Sequence, residues 1–121
     1  MQFPVEPIAP GYDAVLAIAF PNAFVDAVSL GDGELICDFR ASLDAPDPPL
    51  FSATTADSSI LIERGDNETV VTVRIPAAST QDMVPDTSVL FDFVRFEGGA
   101  GDVIPGLWRW PVRKTVTRRA A

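Results

Sequence analysis

The feature that most constrains the fold is a repeated period of two. From Glu34 to Ser42 the residues Leu35, Cys37, Phe39 and Ala41 fall on one face, while Asp38, Arg40 and Ser42 fall on the other; Ile36 is the one misfit. The same alternation returns where Thr69, Val71, Val73 and Ile75 interleave with Glu68, Val70, Thr72 and Arg74. It returns again where Val89, Phe91 and Phe93 interleave with Leu90, Asp92 and Val94. Successive side chains of a strand point to opposite faces, so this pattern predicts strands with one face in a core.

Between these runs stand turn signals. Pro21-Asn22, Gly31-Asp32-Gly33, the Asp44 to Pro49 loop, Arg64-Gly65-Asp66-Asn67 and Gly98-Gly99-Ala100-Gly101 divide the chain at intervals that suit a sandwich or small barrel. The apolar run Ala14 to Phe20 reads as a buried strand, with a helix as the alternative, and Phe24 to Leu30 as a short strand or irregular bridge. Leu50 to Thr54, Ser59 to Glu63, Asp102 to Trp110 and Val112 to Thr117 complete a set of seven or eight short strands. Ala78 to Met83 has room for one helical turn before Pro85. Pro4, Pro7 and Pro10 predict an extended N-terminal arm over residues 1–12, ahead of a body over 13–118 and a tip at 119–121.

At 121 residues the chain suits one domain, and at 47% apolar residues it is too hydrophobic for disorder. No apolar run reaches the length of a membrane span, and the first residues do not read as a signal peptide, so synthesis in a cytoplasm and no membrane partner are expected. The single cysteine, Cys37, rules out an intrachain disulfide and reads as a small core residue.

Histidine is absent, which removes the usual general base and the commonest transition-metal ligand. No nucleophile with its base, no phosphate loop and no metal cluster can be assembled, so neither enzyme nor cofactor is expected. Asp38 and Asp92 are the pair a glycosidase would need, but a structural role, with Arg40, Arg74 or Arg95 as partners, fits strand positions better. Acid pairs such as Asp44 with Asp47 or Asp26 with Asp32 lack the loop spacing of a calcium site. Arg64-Gly65-Asp66 spells an adhesion tripeptide but reads as a turn.

Charge is divided along the chain. Residues 1–102 hold all 17 acids and four bases, a balance of −13, whereas residues 103–121 hold five bases and no acid, giving −8 in all. The basic end suits phosphate, an acidic protein surface or the acidic body of a neighbouring copy; the acidic body would repel a polyanion and argues against nucleic acid. Trp108 and Trp110 flank Arg109 on one strand face, either as a core pair or as an exposed aromatic patch, and the following Pro111 tips the reading toward an interface. The candidate interface is therefore Phe3 and Val5 in the arm, Trp108, Arg109 and Trp110, and the basic Arg113, Lys114 and Arg118.

The order of these pieces resembles the immunoglobulin-like domain of tailed-phage baseplate and fibre-attachment proteins. The resemblance rests on Ile36-Cys37-Asp38-Phe39-Arg40, the hairpin at Gly65-Asp66, the Ala78 to Met83 turn, Val89-Leu90-Phe91-Asp92-Phe93, and Gly106 to Thr117 followed by Arg118. It covers roughly residues 34–118. It implies an all-β immunoglobulin-like sandwich and a non-enzymatic virion protein that works through contacts with other tail or baseplate proteins, as a homo-oligomer. Two alternatives remain at this level: a cement or decoration protein on the major capsid protein, and a host-surface carbohydrate-binding module using Trp108 and Trp110.

Overall fold

The computed structural model describes residues 7–31, 33–45, 49–97 and 100–113. Among these residues seven strands form two antiparallel sheets, so the chain is an all-β sandwich. One sheet has the order β1-β5-β4, from β1 (Ala14–Pro21), β5 (Glu68–Ile75) and β4 (Ile60–Arg64). The other has the order β3-β2-β6-β7, from β3 (Phe51–Thr54), β2 (Glu34–Arg40), β6 (Thr87–Glu97) and β7 (Ala100–Val112). Two short helices, α1 (Asn22–Val28) and α2 (Ala77–Thr80), carry the chain from one sheet to the other.

The alternating runs place their apolar side chains between the sheets. Leu35, Cys37 and Phe39 of β2, Val71, Val73 and Ile75 of β5, and Val89, Phe91 and Phe93 of β6 are all buried. Aromatic rings fill the middle: Phe39 lies 4.9 Å from Phe91, and Phe20 of β1 meets Trp108 of β7 edge-on at 6.0 Å. These are separations at which ring quadrupoles attract as well as pack.

Three expectations change. Phe24 to Leu30 is not a strand: α1 begins after Pro21 and buries Val25, and its cap, Ser29, takes a left-handed φ of 55°. Pro111 does not end a strand, because its place at the sheet edge asks for no backbone donor, and β7 runs on to Val112. The run Ala14 to Phe20 is a strand but is buried on one face only, leaving Val15, Ala17 and Ala19 exposed.

Residues 7–12 of the expected arm lie against the body. Ile8 is fully buried, its N–H donates to Pro111 O at 2.8 Å, and its carbonyl accepts from Arg113 N at 2.8 Å, a parallel bridge to the end of β7. The Thr80 hydroxyl holds the next turn, accepting from Gly11 N at 3.1 Å and donating to Tyr12 O at 2.7 Å.

Candidate interface at the end of β7

Strand β7 sets the geometry of the expected interface. It pairs with β6 from Ala100 to Val112, but between the pairs Phe93–Ile104 and Phe91–Trp108 it carries Pro105, Gly106 and Leu107 opposite Asp92 alone. This bulge re-aims the strand. Gly106 takes a φ of +132°, and the position a Cβ would occupy lies 2.4 Å from Trp108 Cη2, so the indole runs directly beneath the glycine.

The consequence for the tryptophans is a correction. Trp108 is 7% exposed and Trp110 1%, so the pair belongs to the core and offers no aromatic patch to a partner. Trp108 stacks on Phe91 at 5.8 Å and meets Phe93 at 5.5 Å, while Trp110 packs 6.0 Å from Phe39. Pro111 suggested an edge, and β7 is an edge; but an edge strand still has an inner face, and the even positions Ile104, Trp108, Trp110 and Val112 occupy it.

Arg109, between the two indoles, points outward and is exposed, and Arg113 is exposed beside the Ile8 bridge. The bridge thus brings the last described residues of the two ends of the chain to one edge of the sandwich. Phe3, Val5, Lys114 and Arg118 lie outside the described residues. Sequence reasoning missed Ile8, the residue that fixes this junction; its apolar character between Pro7 and Pro10 was the available signal.

The carboxylates Asp38 and Asp92 are brought together, directly opposite each other on β2 and β6 and on the outer sheet face. They border a shallow cleft of about 200 Å³ with Arg40, Leu43, Leu90 and Leu107. Asp38 accepts a 2.6 Å hydrogen bond from Ser52 Oγ and lies 3.5 Å from the Arg40 guanidinium. Both acids lie on one face of the sheet, on neighbouring strands. Like charges directly opposite each other oppose strand pairing, and Arg40 offsets part of that repulsion.

The other expected partners lie elsewhere. Arg95 pairs with Glu97 of its own strand at 2.7 Å and with Asp102 across the β6–β7 hairpin at 2.8 Å, and Arg74 is exposed on the opposite sheet. Arg64 grips Asp26 of α1 through both guanidinium nitrogens, at 2.8 and 3.2 Å, which holds the Asp26 carboxyl below its ordinary range. With Gly65 N donating to Glu68 O at 2.7 Å, Arg64-Gly65-Asp66 is the turn of the β4–β5 hairpin. Among the described residues no group of three or more potential ligands could hold a metal ion, and no helix is long and apolar enough to cross a membrane.

Comparison of the chain with protein-family models, curated proteins and solved structures finds no match.

Proposed function

We propose that this protein is a non-enzymatic structural component of a tailed-phage virion, an adaptor in the tail, baseplate or fibre-attachment apparatus with an immunoglobulin-like sandwich as its rigid body. The observation that carries the immunoglobulin-like reading is the strand order. In immunoglobulin-like sandwiches, lettered along the chain, strand B is followed by C on the other sheet, and E and F return to the two sheets. Taking β1 as B gives B-E-D on one sheet and C′-C-F-G on the other, which is the order seen here. The order of motifs from Ile36 to Arg118 supports the phage assignment.

The burial of Trp108 and Trp110 weakens the carbohydrate-binding alternative, which needed those rings as a platform for sugars. Contacts with virion partners fall to the exposed Arg109 and Arg113 and to the basic residues that follow, against acidic protein surfaces. Ile8 sets where a truncation can be made: removing residues 1–10 would take away a core side chain, whereas removing 114–121 leaves the bridge intact.

The test is incorporation. Phage assembled with the chain lacking residues 114–121, or with Arg109→Glu and Arg113→Glu, should lack this protein or its neighbour in the tail, while the isolated variants keep the wild-type melting temperature. Normal incorporation of both folded variants would contradict the assignment.

A further inference from the structure

The two sheets have four outer strands, and three of them carry features that discourage pairing with another chain. β3 has only four residues. β4 has five and ends in Glu63-Arg64, both exposed. β7 has its bulge, Pro105, Pro111 and the bridge to Ile8. Short length, charge, proline, bulges and covering segments are the devices that blunt an exposed edge.

β1 has none of these over most of its length. Its eight residues, Ala-Val-Leu-Ala-Ile-Ala-Phe-Pro, include no charge, no glycine and no proline before the last position. Its register with β5 is unbroken from Ala14–Ile75 to Pro21–Glu68, and among the described residues no strand pairs with its other side. Its own outer face is apolar too: Val15, Ala17 and Ala19 are exposed, beside Arg74, Thr72 and Val70 of β5. A long, uncharged, regular edge is a template for strand addition.

From this contrast we infer that β1 is a pairing edge and that its occupant is β1 of a second copy, antiparallel about a two-fold axis near Ile18. Charge selects this occupant and orientation. The chain carries −8, yet two β1 strands meet without a single charged residue between them. On the adjoining strand Arg74 stands beside Val15 at one end and Glu68 beside Pro21 at the other. An antiparallel pair sets the Arg74 end of each copy toward the Glu68 end of its mate, while a parallel pair would set like ends together.

The contact is small. One strand edge buries less than the roughly 1,200 Å² of a standard stable interface, so the dimer belongs to the low-affinity class, filled at high local concentration. The inference rests on the edge alone and stands or falls separately from the virion assignment.

Sedimentation of the full chain over a wide concentration range tests it, together with hydrogen exchange. A reversible dimer is expected, with β1 amides gaining protection as concentration rises. Ala17→Lys with Ala19→Lys, both at exposed positions, places like charges opposite each other across the two-fold axis and should weaken dimerisation at least about tenfold. The melting temperature of dilute protein should not change. Mixing that variant with Ala17→Glu, Ala19→Glu chains should restore a heterodimer. A monomer at every concentration, a dimer indifferent to the lysines, or a dimer lost only on removal of residues 114–121 would each overturn the inference.

Discussion

Gly106→Ala perturbs the point where the bulge of β7 meets the core. The added methyl would stand 2.4 Å from Trp108 Cη2 and 2.7 Å from Cζ2, well inside van der Waals contact, at a residue whose φ of +132° side chains avoid. The ring has little room to yield, because it is stacked on Phe91 and edge-on to both Phe93 and Phe20. Overpacking costs about 1–3 kcal/mol and the backbone conformation about 1–3 more, so a loss of about 2–6 kcal/mol is expected. With an unfolding entropy of roughly 2.1 cal/mol/K per residue, 121 residues lose about 4 °C per kcal/mol, and the melting temperature should fall by about 8–24 °C. Calorimetry measures this directly, and near-ultraviolet circular dichroism should show Trp108 displaced. Gly31→Ala is the control, since nothing lies within 4 Å of that methyl. A Gly106→Ala protein as stable as the Gly31→Ala control would refute the placement of Trp108 beneath the bulge.

Three further outcomes follow from the same geometry. Thr80→Val removes the buried hydroxyl that serves Gly11 N and Tyr12 O, and should cost about 1–3 kcal/mol in denaturant unfolding, with faster exchange of the Gly11 amide. Burial, and then the nearby Asp92 and Asp38, push the Cys37 thiol well above its ordinary value, so the unfolded chain loses this proton first as pH rises. Stability should therefore fall from about pH 9 upward by as much as about 1.4 kcal/mol per pH unit relative to Cys37→Ala, as paired unfolding curves would reveal. Asp92→Asn removes one of two facing carboxylates and leaves the Ser52 and Arg40 contacts of Asp38 in place; a gain of about 0.2–1 kcal/mol, shrinking with added salt, is expected in thermal melts.

Strands β2, β5 and β6 were legible in the sequence because each buries one face and so writes its period in the residue order. β1 was legible as a strand but not in its burial: an all-apolar run implies two covered faces, and here one faces out. α1 was hidden because seven residues after a proline give too short a run for the helical period to emerge. For the interface, alternation put Trp108 and Trp110 on one face but could not say which, since the bulge of β7 adds residues that shift the pattern. The facing of Asp38 and Asp92 depends on the register between strands more than 50 positions apart, which no local pattern encodes.

The proposed function makes the chain a fixed part of a phage tail. Cryo-electron microscopy of intact particles, with the density for this sandwich located and its copies counted, tests that claim most directly. The account predicts a few copies, or a small ring, at the tail or baseplate. Hundreds of copies on the capsid shell, or no copy in the particle, would contradict it.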